Sequence, residues 1–135
     1  MFIEFQTKDD KAISYNVSNI VFVGEMKESV SIMFDDNSHV IIPDEYVAVV
    51  KRFIGLSRTV DPSVYVQFTT KKEERIAFPL RRIFYVLEQE TTTAIMFNDG
   101  TRMEVIEKYD VVMKRLFEKI ERAVKRPNST EETKS

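Results

Sequence analysis

The chain has 135 residues, 43% of them apolar and 31% charged, and a formal net charge of −2. That length suits one ordinary domain or two very small ones. Cysteine is absent, which excludes disulfides, thiolate metal sites and a cysteine nucleophile.

In chain order, Met1-Phe2-Ile3-Glu4-Phe5 lacks the basic region and apolar core of a secretory signal. It alternates apolar and polar residues instead, as a half-buried strand does. Lys8-Asp9-Asp10-Lys11 turns this strand, and Ala12 to Tyr15 return as a second one. Asn19 to Glu25 and Val30 to Phe34 are rich in β-branched and aromatic residues and read as further strands. After the polar turn Asp35-Asp36-Asn37-Ser38, His39 to Ile42 form a fifth strand. The period then changes from 2 to 3.6, with Tyr46, Val49, Val50, Phe53 and Ile54 on one helical stripe. Pro43, Asp44 and Glu45 suit the start of that helix, and Gly55 is its expected stop.

The same succession follows again. Ile32-Met33-Phe34-Asp35-Asp36 returns 63 residues later as Ile95-Met96-Phe97-Asn98-Asp99. Pairing residues 2–57 with 65–120 at that constant offset gives 15 identities in 56 positions without a gap, among them Glu25/Glu88, Tyr46/Tyr109 and Arg52/Arg115. Shared composition explains such matching poorly, and we read it as a tandem repeat. In the second copy the turn Asn98-Asp99-Gly100-Thr101 is expected to be type I′, because Asp-Gly reaches positive φ readily. Tyr109, Val112, Met113, Leu116 and Phe117 repeat the helical stripe, continued by Ile120, Ala123 and Val124 until Pro127.

The expected fold class is therefore α+β: a tandem repeat of two β-β-β-β-β-α units packed as an intramolecular pseudo-two-fold dimer. Unit 1 spans residues 1–56, a connector 57–63, unit 2 with an extended C-terminal helix 64–126, and a disordered tail 127–135. A unit of about 60 residues is marginal alone, which favours packing the copies together over two beads on a linker.

Little in the chain points to catalysis. His39 is the only histidine and has no triad or metal partners in any familiar spacing. Asp35-Asp36 and Asp99 sit in hairpin turns, where Asp is favoured for its local hydrogen bonds. With three glycines there is no phosphate-binding loop, and no serine sits in a nucleophile elbow. The expectation is a protein that is not an enzyme and needs no cofactor or metal. No run approaches the roughly 18–20 apolar residues that cross a bilayer, so the chain is expected to be cytoplasmic, without membrane insertion.

Two surfaces offer themselves for recognition. Ile120 and Val124 lie on the part of the second helix that the first copy lacks, and Glu25 with Glu88 retain an acid at equivalent positions. From these the expected function is a protein-interaction or adaptor module, its partner another protein held by a sheet edge or by the long helix. The alternative is a nucleic-acid-binding regulator using Arg75, Arg81 and Arg82 with the neighbouring aromatics Phe78, Phe84 and Tyr85. Charge leaves the choice open: residues 1–63 carry 6 basic and 10 acidic side chains, and residues 64–135 carry 14 and 12.

Ile83 to Glu88, Thr92 to Phe97, the turn Asn98-Asp99-Gly100 and the helix from Glu107 resemble the small FlbD/SwrD-type proteins associated with bacterial flagella and swarming. That resemblance covers nearly all of each unit and implies a flagellar role; the duplication and the long second helix depart from it. Ile83-Phe84-Tyr85-Val86 followed by strands is also similar to LytTR-type DNA-binding domains.

Overall fold

A computed structural model of the chain describes residues 2–6, 9–59 and 65–131, with side chains described for 2–6, 9–53 and 65–121. The fold is α+β, with antiparallel sheets and two helices. The first half runs β1 (Phe2–Gln6), β2 (Ala12–Asn16), a 3-10 turn (Val17–Asn19), β3 (Ile20–Glu25), β4 (Val30–Phe34), β5 (His39–Ile42) and α1 (Tyr46–Thr59). The second runs β6 (Tyr65–Thr69), β7 (Arg75–Pro79), a 3-10 turn (Leu80–Arg82), β8 (Ile83–Glu88), β9 (Thr93–Phe97), β10 (Arg102–Val105) and α2 (Tyr109–Glu131). Each of these elements begins 63 residues after its counterpart.

Local geometry follows the same spacing. Phe34 and Phe97 each close a hairpin, with their amides donating to the carbonyls of Ser38 (2.9 Å) and Thr101 (2.8 Å). Asp36 and Asp99 cap these turns by accepting from the amides of Ser38 (2.9 Å) and Thr101 (3.0 Å). Positive φ falls on Asn37 (71°) and Gly100 (94°), the residues whose amides bond back to Phe34 and Phe97. Only that last turn residue is left-handed, so the hairpin is a turn followed by an αL residue rather than the expected type I′, in which both central residues need positive φ.

The strands form three sheets: β1-β2, β5-β4-β3-β7-β6 and β10-β9-β8. The five-stranded sheet mixes the two halves. Its joint is antiparallel β3–β7 pairing, with Val23 opposite Ala77 and Gly24 opposite Ile76. A bridge between Thr70 and Val105 carries the backbone from the five-stranded sheet towards the three-stranded one.

The uninterrupted apolar run Ile20-Val21-Phe22-Val23 makes sense here, because β3 is covered on both faces. Ile20 and Val23 enter a core with Ile3, Phe5, Phe34, Tyr46 and Phe53, which also takes Tyr65 and Ala77 from the second half. Val21 and Phe22 enter a second core with Phe68, Ile76, Phe78, Phe97 and Leu116. Each such side chain contributes about 1.5–3 kcal/mol by leaving water. Phe22 and Phe97 meet at 5.8 Å between ring centroids, directly across the halves.

The joint also corrects the expected symmetry. A two-fold axis relating the halves would pair β8 with β2 wherever it pairs β3 with β7. Among the described residues β2 pairs with β1 and β8 with β9, so both keep an open outer edge. The contact is heterologous, second half onto first, and the pseudo-two-fold dimer does not form.

The helices outrun their expected ends. α1 passes Gly55 and reaches Thr59, since one glycine costs a helix only about 1 kcal/mol. α2 passes Pro127, which removes one amide donor, and its backbone is helical to Glu131. The last part of the expected connector, residues 60–63, lies outside the described residues, as do residues 132–135 of the expected tail.

Candidate nucleic-acid interface

The three basic residues singled out by sequence go to different places. Arg75 is committed to Glu25. Its Nε donates to Oε1 (3.1 Å), its Nη2 to Oε2 (2.8 Å), and its backbone amide to Oε1 (2.9 Å). The guanidinium also lies over the Tyr46 ring, 4.8 Å from its centroid. Those hydrogen bonds from the Arg75 side chain and amide hold the Glu25 carboxyl below its ordinary pKa. The Tyr46 hydroxyl, raised by burial, donates to Gln67 Oε1 at 3.0 Å.

Arg82 is a second clamp across the same joint. Its Nε donates to the Ile20 carbonyl (3.2 Å), and its Nη2 donates to the Ser18 carbonyl and to Asp35 Oδ2 (3.0 Å). The side chain is 13% exposed. Both arginines therefore hold the halves together rather than face a ligand. A signal for this was present in the sequence: their counterparts are Ala12 and Asn19, so the basic groups occur only in the half that supplies the clamp.

Glu25, expected to mark a recognition surface, is spent on Arg75. Glu88 is exposed at the end of β8, so the two acids do not share a face as symmetry mates. Ile120 is exposed on α2, along with Phe117 and Val111, whereas Leu116 is core and Tyr109 half-buried. The Val124 side chain lies outside the described residues. Among the described residues no three acidic or histidine side chains gather as a metal site, and no helix is long and apolar enough to cross a membrane.

Arg81 belongs to a different surface. It is exposed in the 3-10 turn that leads into β8, and its carbonyl accepts from Asn98 Nδ2 at 3.1 Å, which ties this turn to the β9–β10 hairpin. A register shift between Ile83 and Tyr85 turns consecutive aromatics outward. Phe84 is 69% exposed and Tyr85 46%, their ring centroids 5.3 Å apart. Leu87 is exposed beside them.

Cross-strand register completes the surface. Tyr85 stands opposite Met96, and Met96 opposite Arg102, so an aromatic, a thioether and a guanidinium form one row across the outer face. In the next row Leu87 is opposite Ala94 and Ala94 opposite Glu104. Glu104 gathers Lys71 (3.0 Å) and Arg102 (3.3 Å), and the hydrogen bond from Lys71 leads in lowering its pKa. The inner face carries Val86, Ile95 and Met103 into the second core. The outer face thus offers two adjacent flat rings with cationic groups on the same sheet, a composition that stacks bases and meets phosphates. Sequence reasoning named Arg81 and the aromatics but missed Arg102, whose place in the row only the strand register reveals.

No protein-family model and no curated protein matches the sequence. In structure the chain is similar to a LytTr DNA-binding domain from Bacillus cereus, with a TM-score of 0.54 and 13% sequence identity over 86% of this chain and 95% of that one. At that identity the likeness establishes the fold. It nonetheless overturns the expectation of an adaptor whose main partner is another protein, since the domain that shares this architecture is a DNA-binding one.

Proposed function

We propose that this chain is a nucleic-acid-binding module whose contact surface is the outer face of β8-β9-β10. The observation that carries the reading is the exposed Phe84–Tyr85 pair in one surface with Arg81 and Arg102. Two neighbouring rings in water have no role in the fold's own cores, and they suit stacking with unpaired bases. The likeness to a DNA-binding domain supports the same reading. Arg75 and Arg82, engaged at the joint, leave the binding role to Arg81 and Arg102.

Fluorescence anisotropy with labelled single-stranded and duplex DNA tests it. Binding is expected at low salt and falls steeply as salt rises, because phosphate contacts release counterions. Phe84→Ala is expected to weaken single-strand binding about tenfold, the value of one stacked base, with folding unchanged. Arg102→Ala should lower the salt slope by about one. Absence of binding to either strand form at low salt would overturn the proposal.

Under the same proposal the halves are one duplicated unit, the second copy supplying a hairpin to the sheet of the first. Matching turn geometry and element spacing support that reading.

A further inference from the structure

We propose that copies of this chain join head to tail, the open edge of β8 in one copy taking β2 of the next. The strand arithmetic motivates it. Inside the chain a three-stranded group, β3-β4-β5, is completed to five strands by the hairpin β6-β7. The two sheets left over have three strands, β8-β9-β10, and two, β1-β2, the same pair of pieces. Shifting the existing register, Val23 opposite Ala77 and Gly24 opposite Ile76, by 63 residues gives Val86 opposite Ser14 and Leu87 opposite Ile13.

Exposure marks both missing contacts. On the sheet side, Phe84 and Tyr85 are 69% and 46% exposed where their counterparts Val21 and Phe22 are 0% and 7%. On the hairpin side, Phe2 is 62% exposed where Tyr65 is 8%, and Ile13 and Tyr15 are half-buried where Ile76 and Phe78 are fully buried. Every one of these residues is open because the adjoining half is absent. The two surfaces are different and complementary, so the contact is heterologous and can propagate, and one chain cannot satisfy both. An unpaired edge strand is already a template for such addition. The occupant is a further copy of this chain, because β1-β2 is the hairpin whose counterpart already fits this sheet.

The new joint would be weaker than the internal one. Ala12 and Asn19 replace Arg75 and Arg82, so both arginine clamps are lost, although Glu88 keeps the carboxylate of Glu25. Association is therefore reversible and concentration-dependent. Resting on the nucleic-acid reading above, assembly also covers Phe84 and Tyr85, so self-association and base stacking exclude each other.

Sedimentation velocity over a wide concentration range, without nucleic acid, tests the assembly. The wild-type chain is expected to form a concentration-dependent series, and Ala12→Arg, which offers Glu88 a guanidinium, to tighten it about tenfold. Leu87→Glu blocks one end and Phe2→Glu the other; both residues are exposed, and thermal melts confirm that each variant folds. Each variant alone is expected to lose the higher species. Their mixture should give a one-to-one dimer that grows no further, because one good end of each kind remains. A wild-type chain and Ala12→Arg variant that both stay monomeric, or a mixture that forms no dimer, overturns the proposal. Loss of DNA binding in anisotropy would leave this result standing, and the reverse also holds.

Discussion

β3 and β8 are the same strand built twice and placed in opposite circumstances. Both carry an apolar run of four residues, and both are bulged at the same step. β3 has neighbours on both edges and side chains in both cores, whereas β8 is an edge strand with one covered face. The lesson is that this run does not encode burial. It encodes a surface able to accept a hairpin, filled once inside the chain and open once outside it.

Substitutions at paired positions would break this contrast if it is wrong. The largest effect is expected at Phe22→Glu, which buries an unpaired charge and should cost about 4 kcal/mol or more in urea unfolding. Tyr85→Glu, at the equivalent place in β8, should fall within about 0.5 kcal/mol. Next, Phe78→Ala should cost about 3–5 kcal/mol, because its ring packs edge-on against Phe97 at 4.9 Å in the closed second core. Tyr15→Ala removes the matching contact with Phe34, also at 4.9 Å, but from a half-buried site; about 1–2 kcal/mol is expected in the same melts.

A smaller difference sharpens the picture at the joint. Glu25→Gln should cost about 1–2 kcal/mol, reduced by the partial exposure of the pair, and Glu88→Gln almost nothing. The pH dependence has a definite sign. The folded-state pKa of Glu25 is lowered by Arg75, so its stabilisation is complete above the ordinary carboxylate pKa. It is lost as pH falls through the lowered value. Melting temperatures of wild type and Glu25→Gln should therefore differ near neutral pH and converge in acid; a constant gap would contradict the assignment.

Much of this architecture is written in the sequence. Alternation and turn chemistry locate every strand, and the change of period locates both helices, because these are local preferences. What is not local is illegible. Ile20-Val21-Phe22-Val23 and Ile83-Phe84-Tyr85-Val86 look equivalent, since nothing in either run says whether a strand lies on its outer edge. The same gap explains the symmetry expectation: an internal repeat shows that two units are alike but not whether they meet face to face or head to tail. At the candidate site the aromatics and Arg81 are legible as a cluster. The removal of Arg75 and Arg82 from it depends on acceptors 47 to 64 residues away.

The β3–β7 joint has a consequence for the order in which the molecule is made. Val23 and Ala77 meet across 54 residues of chain, whereas each hairpin closes over a few. Contacts so distant in sequence form late, after loop closure has been met by local structure. During synthesis β3 therefore emerges with Val21 and Phe22 uncovered and waits until β6 and β7 have left the ribosome. In that interval the nascent first half has the same open end as the finished second half, and neighbouring chains on one message could exchange hairpins before each acquires its own.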